Sequence, residues 1–141
     1  YKNFGWGVSS YGEHYGYPQD KWRLEDLYKR APLYKSHKKY GFIEPIKYFN
    51  PAIGITQILR VPNFKVSSNK IVLFNGSMGW NLEEGDLSLH KHVLDEDFNI
   101  VSYKKIPIKD RIRDIVYSKR LKKIFMFLET SSSIAVLDNL N

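Results

Sequence analysis

Arg111 and Arg113 are the residues of this sequence whose type and spacing best suit chemistry. In an extended chain, side chains two positions apart lie on the same face, so the two guanidinium groups form a forked cationic pair. Ile112 and Ile115 are expected on the opposite side from them. Each guanidinium can hold an oxyanion through two parallel hydrogen bonds, so the pair suits a ligand with several carboxylates or phosphates.

The same two arginines also have a structural interpretation. Surface and inter-strand ion pairs are common in proteins, and they contribute little to stability. Three carboxylates could supply them here: Asp110, Asp114 and Glu129. Spacing alone favours these ion pairs over a ligand site, and it leaves both interpretations open.

Two histidines give a weaker signal. His90 and His92 lie two positions apart in a predicted strand and therefore share a face. Together with Asp86 or Asp95 they could bind a metal ion, but the sequence offers no clear third ligand. Two exposed histidines on a strand are the more common arrangement.

Two loops carry other candidate groups. His14 beside Glu13 could act as an acid–base pair, although a hydrogen bond within the loop is the simpler interpretation. Glu83, Glu84 and Asp86 could attract Ca²⁺, but their spacing is not that of an EF-hand. The sequence contains no nucleophile elbow, phosphate-binding loop or HExxH motif.

Composition excludes several classes of function. The 141 residues contain no cysteine, which excludes disulfides, thiolate zinc sites and a cysteine nucleophile. The net charge of +7 comes from scattered lysines, which indicates a solvated surface and no nucleic-acid partner. No apolar run is long enough for a membrane helix, so we expect a chain that does not span a membrane.

The pattern of elements predicts an all-β fold with one short helix near the N-terminus, over residues 20–30. Residues 1–41 are expected to form a loop with this helix, and residues 42–141 two groups of four strands of propeller-blade size. Sandwich, barrel and propeller architectures all agree with such antiparallel strands. The predicted strands are 42–49, 54–61, 70–75, 86–94, 100–106, 111–117, 123–128 and 133–137.

Four segments in order carry a family resemblance: NFGWGVSSYGEHYG, EPIKYFNPAIGITQI, NKIVLFNGSMG and DRIRDIVYSKRLKKIFMFLETSSSIAVL. They resemble the glucose/sorbosone dehydrogenase family of soluble quinoproteins, which use pyrroloquinoline quinone (PQQ). The resemblance implies about two blades, near the C-terminal end, of a six-bladed β-propeller. Such a piece would expose apolar faces, so we expect it to be marginally stable or to aggregate.

The resemblance also implies an activity, which is hydride transfer from a sugar hydroxyl to the quinone. The electron acceptor that would reoxidise the cofactor is not identified. Arg111 and Arg113 match the family's paired arginines, which bind the PQQ carboxylates. The catalytic histidine and the Ca²⁺ ligands are expected upstream of this chain, so the chain alone is expected to be inactive. The family implies a periplasmic or secreted location.

Departures from the family pattern support an alternative function. Asn50, Ala52 and Gly79 replace residues that line the family's cofactor pocket. The alternative is a non-catalytic β-propeller that has lost this pocket and binds a sugar, a peptide or a partner through loops 9–18 and 77–86. Its contact surface would include the aromatic residues Tyr11, Tyr15, Tyr17 and Trp80.

Overall fold

The computed structural model describes residues 2, 4, 37–38, 41–49, 51–62 and 69–138, and this part of the chain is all-β. The chain divides into two compact units, Tyr1–Ala52 and Ile53–Asn141. The predicted helix over 20–30 lies outside the described residues. None of the described residues belongs to a helix long and apolar enough to cross a membrane.

The first unit contains a tight turn at Gly41, where φ is +72°. The amide of Gly41 donates to the carbonyl of Lys38 at 3.1 Å, and the amide of Phe42 donates to His37 at 3.0 Å. No strand forms over residues 42–49, where the sequence predicted one. Pro45 stands in the middle of this segment and cannot donate a ladder hydrogen bond, which disfavours a strand there.

The second unit contains seven strands in two antiparallel sheets. The first sheet has the order β1-β2-β3-β4 and the second the order β5-β6-β7. These strands confirm seven of the eight predicted ones, but the strand over 100–107 joins the first sheet and not the second. The strands are β1 (Ile55–Arg60), β2 (Ile71–Ser77), β3 (Ser88–Leu94), β4 (Ile100–Pro107), β5 (Ile112–Ser118), β6 (Lys123–Leu128) and β7 (Ser133–Leu137).

The apolar core lies between these sheets. Strand β5 packs against β1 and β2, and its residues Ile112 and Ile115 are almost fully buried. Branched and aromatic side chains fill this space, as expected for the facing sides of two sheets. The core comprises Val61, Val72, Phe74, Leu89, Val93, Ile112, Ile115, Ile124, Met126 and Leu128.

The turn between β3 and β4 forms the hairpin that the sequence DEDFNI predicts. The carboxylate of Asp95 accepts from the amide of Asn99 at 2.8 Å, and the amide of Asp95 donates to the carbonyl of Asn99 at 3.0 Å. Phe98 adopts a left-handed φ of +63° at the tip. The side chain of Asp95 therefore fixes the turn that sets the register of the two strands.

Candidate functional site

Arg111 stands one residue before β5, and three contacts fix its guanidinium group. Its Nε donates to the carbonyl oxygen of Met78 at 2.8 Å, and its Nη1 donates to Oε1 of Glu129 at 2.8 Å. Its guanidinium carbon lies 4.6 Å from the centroid of the Trp80 ring, which is a cation–π contact. Only 23% of the Arg111 side chain is exposed, so its charge is largely enclosed by these contacts.

Arg113 occupies a β-bulge at the start of β5. Ile112 pairs with Leu128 and Asp114 pairs with Phe127, which leaves Arg113 as the extra residue on β5. Arg113 and Asp114 are consecutive and both exposed. The bulge therefore alters the regular alternation of side chains at the point where the two arginines lie.

One carboxylate lies between the two arginines. Oε1 of Glu129 is 2.8 Å from Nη1 of Arg111, and Oε2 is 2.6 Å from Nη2 of Arg113. The contact to Arg113 is an ion pair without the alignment of a hydrogen bond. The ion-pair interpretation is thus confirmed for Glu129. The two guanidinium groups do form a cationic pair, but the carboxylate of Glu129, from the same chain, lies between them.

Asp110 caps the neighbouring turn and does not pair with the guanidinium groups. Its Oδ1 accepts from the amides of Arg111 at 2.6 Å and Thr130 at 2.9 Å, and its Oδ2 accepts from the amide of Ser131 at 3.0 Å. Hydrogen bonds from Ser131, and then from Thr130, lower the pKa of Asp110 to about 2 because they stabilise the charged carboxylate. Asp114 accepts from the amide that follows it at 2.8 Å.

The loop that carries Trp80 is closed by Asp86. Oδ2 of Asp86 accepts from the amide of Asn81 at 2.8 Å, and the carbonyl of Asn81 accepts from the amide of Asp86 at 3.0 Å. The amide of Gly79 donates to the carbonyl of Ile53 at 3.1 Å. A Cβ atom at Gly79 would overlap the carboxylate of Asp86. The carboxylate of Asp86 therefore occupies the space that a side chain at position 79 would need.

The two histidines of β3 share a face, as predicted, but both are buried. Nε2 of His90 donates to the carbonyl of Gly85 at 2.8 Å, because a carbonyl only accepts. Nδ1 of His90 lies 2.7 Å from the hydroxyl of Tyr103, whose pKa is raised by burial. Nε2 of His92 lies 2.8 Å from Oδ1 of Asn75. These contacts place both histidines in a buried polar network.

The other predicted residues do not assemble a metal site in the described part of the chain. Among those residues, no three His, Cys, Asp or Glu side chains are grouped as metal ligands. This includes the histidine pair and the acidic loop at residues 83–86. His14, Glu13 and Asn50 lie outside the described residues, and Ala52 is exposed.

Sequence reasoning missed two partners of Arg111, which are the carbonyl of Met78 and the ring of Trp80. The Met78 contact joins residues 33 positions apart. No periodic pattern connects residues at such a separation. The only local signal was the position of Trp80 in a glycine-containing loop, which suggested an exposed contact residue.

No known protein family, curated protein or solved structure matches this chain. The residues that bear on function are those of the arginine cluster, which we define as Arg111, Arg113, Glu129 and Trp80.

Proposed function

We propose that the two sheets are neighbouring blades of a β-propeller. Strands β1 to β4 follow one another in chain order across the first sheet, and β5 to β7 repeat that order in the second. The opening strand of the second sheet, β5, packs against β1 and β2 of the first. Successive meandering sheets packed in this way are typical of propeller blades. The order of the strands and the packing of β5 are the observations that support this proposal of two blades.

We further propose that this part of the propeller is a non-catalytic binding module. The observation that carries this proposal is the position of Glu129 between Arg111 and Arg113. A PQQ carboxylate bound to both guanidinium groups would lie beside the carboxylate of Glu129, which already contacts Nη1 of Arg111 and Nη2 of Arg113. The carboxylate of Glu129 and a neighbouring PQQ carboxylate would repel each other, so the two arginines, as arranged around Glu129, do not fit PQQ.

Gly79 supports the same proposal. The resembling family often has a lysine near the quinone at this step of the chain. Here the carboxylate of Asp86 lies where a side chain of residue 79 would begin. A lysine would therefore force the loop open, and the loop as folded lacks that cation.

Trp80 is the proposed contact residue for a sugar-like ligand. It is 74% exposed, although its ring contacts the guanidinium of Arg111. An indole fixed by a cation presents a large, rigid surface at low entropic cost, and tryptophan is enriched among residues that dominate binding. Sugar, peptide and partner ligands differ in chemistry, and a sugar agrees best with the resemblance.

The test is direct binding. The protein is dialysed against PQQ with Ca²⁺, and separately titrated with a panel of oligosaccharides while its tryptophan fluorescence is followed. We expect no saturable PQQ binding and at least one saturable sugar response that Trp80→Ala abolishes. Saturable binding of PQQ, or an unchanged response in Trp80→Ala, would contradict the proposal.

The second candidate is the PQQ-dependent sugar oxidoreductase, with Arg111 and Arg113 as cofactor-binding residues. One observation favours it: both guanidinium groups already converge on one carboxylate, within 2.8 Å. If Glu129 moved aside, a cofactor carboxylate could take its place. On this hypothesis the protein binds PQQ, Arg111→Ala with Arg113→Ala abolishes binding, and the exposed control Arg120→Ala does not. The sugar-like substrate and the periplasmic or secreted location stay predictions.

A further inference from the structure

Strand β7 presents an unprotected sheet edge. Among the described residues it pairs with β6 alone, so its outer edge has no sheet partner there. Its sequence, SIAVL, contains neither a charge nor a proline. Exposed edges are usually protected by lysine, proline or a bulge, because a bare edge can pair with another chain.

Strand β4, at the edge of the first sheet, shows the contrast. It carries Lys104 and Lys105 together and ends at Pro107. Its pairing with β3 is also interrupted by a register shift near Leu94. All three devices disfavour edge pairing. Strands β4 and β7 therefore differ in the features that decide whether an edge can accept another strand.

The outward side of β7 is apolar as well. Ile134 is 72% exposed and Val136 is 43% exposed. Strand pairing places them beside Phe127 and Phe125 on the same face of the sheet, and Val116 continues this row. An exposed apolar face next to an unpaired edge is typical of a protein–protein contact.

We infer that two copies of this chain pair through β7, antiparallel and around a two-fold axis at Ala135. In this register Ile134 of one copy lies across from Val136 of the other, and Ser133 lies across from Leu137. Both β-branched side chains gain a cross-strand neighbour on the same face. A two-fold contact of this kind is self-complementary and closes after two copies.

The distribution of charge on the chain is compatible with a second copy of it as the partner of the β7 edge. Each chain carries a net charge of +7, which opposes self-association through most of the surface. The β7 edge itself is uncharged, and the nearby Lys123 is neutralised by Asp138 at 2.9 Å. The edge is therefore a place where two copies can meet without facing like charges. The pairing uses only β7, so it does not depend on the ligand of the arginine cluster.

The pairing is expected to be weak. A five-residue edge buries much less area than the roughly 1,600 Å² of a typical stable interface. We therefore expect a reversible, concentration-dependent dimer with a dissociation constant of about 10 μM or weaker.

The test is sedimentation velocity over a hundredfold range of concentration. The wild-type mass should rise toward twice the 16.6 kDa of one chain. Ile134→Lys and Val136→Glu should each weaken association about tenfold or more. A mixture of the two variants should regain it, because the introduced charges face each other in the proposed register. Val101→Lys, on β4, is the matched control because Val101 is 48% exposed; it should associate like the wild type.

Three results would overturn the proposal. The first is a constant monomer mass, above all with slow hydrogen exchange of the β7 amides, because another part of the chain would then cover the edge. The second is equal association of Ile134→Lys and Val101→Lys. The third is growth beyond the dimer, which a closed two-fold contact does not allow. Melting curves of all variants check that each has folded.

Discussion

At the scale of single residues, Glu129 is the group that decides what the two arginines do. Glu129→Gln removes the charge that offsets a largely buried Arg111 and a half-exposed Arg113. Partly exposed ion pairs contribute little, so we expect the free energy of unfolding to fall by about 1 kcal/mol. Arg111→Ala should cost more than Arg113→Ala, since Arg111 also binds the Met78 carbonyl.

Urea unfolding of the single and double variants measures this coupling. Glu129→Gln combined with Arg111→Ala should destabilise less than the sum of the two single changes, because the interaction is lost only once. Arg120→Ala removes an exposed turn arginine and serves as the control. Strict additivity would show that the contact between Arg111 and Glu129 contributes nothing.

Gly79 is the second position where one residue determines local structure. Gly79→Ala forces a methyl group into the carboxylate of Asp86, and overpacking of this kind costs about 1–3 kcal/mol. Adding Asp86→Ala removes the obstacle and should recover part of the loss. Thermal melting of the three variants tests this, and the absence of any recovery would place the strain elsewhere in the loop.

Asp110 makes stability depend on pH. Its folded pKa of about 2 lies below the ordinary value near 3.9, so its contribution is present above about pH 4 and disappears as the pH falls toward 2. Asp110→Asn should therefore lower the melting temperature at pH 6 and flatten its dependence between pH 4 and pH 2. Asp97→Asn, in the β3–β4 turn, is the exposed control. Parallel curves for wild type and Asp110→Asn would contradict the assignment.

At the scale of elements, the sequence predicts the strands well and their grouping less well. Alternating branched residues between turn signals located β1 to β7, and β6 and β7 match their predicted limits. The turn after residue 94 is the predicted hairpin, fixed by Asp95. The two predicted groups of four strands are nevertheless divided at this turn, whereas β4 belongs to the first sheet. Whether a turn joins two strands of one sheet or separates two sheets depends on pairing with distant residues, which spacing does not encode.

The bulge in β5 makes a prediction about deletions. Deleting Arg113 removes the extra residue and restores regular alternation, so Ile112 and Ile115 both still face the core. Deleting Phe125 from the regular strand β6 turns its core residues outward. We expect the first variant to unfold cooperatively at a temperature a few degrees lower, and the second to lose near-UV circular dichroism.

Arg113→Ala removes the side chain but keeps the backbone position, so it distinguishes the effect of the lost side chain from the effect of the deleted residue. If deleting Arg113 and deleting Phe125 disrupted the fold equally, the extra residue would not be a bulge that the sheet can spare. The sequence spacing anticipated the fork of Arg111 and Arg113 but not this bulge, because a bulge is defined only against the partner strand.

At the scale of the whole molecule, exposed apolar surface is the main expected weakness. Val116 and Phe127 lie on the outward face of the second sheet, 57% and 48% exposed. Val116→Thr with Phe127→Thr should reduce aggregation without lowering the melting temperature, since neither side chain is buried. Val72→Thr is the matched control because position 72 is buried. The hydroxyl of the introduced threonine would lose its contact with water on folding, which should destabilise the fold by about 1–3 kcal/mol.

Light scattering and circular dichroism during heating measure both effects on the 141-residue chain. The wild type should unfold broadly below about 50 °C and aggregate, while the Val116→Thr with Phe127→Thr variant should stay soluble at the same melting temperature. Neither position belongs to β7, whose backbone forms the proposed dimer, so the change should leave that pairing intact. A single sharp transition of the wild type at high temperature, without aggregation, would mean that the exposed sheet face does not limit its stability.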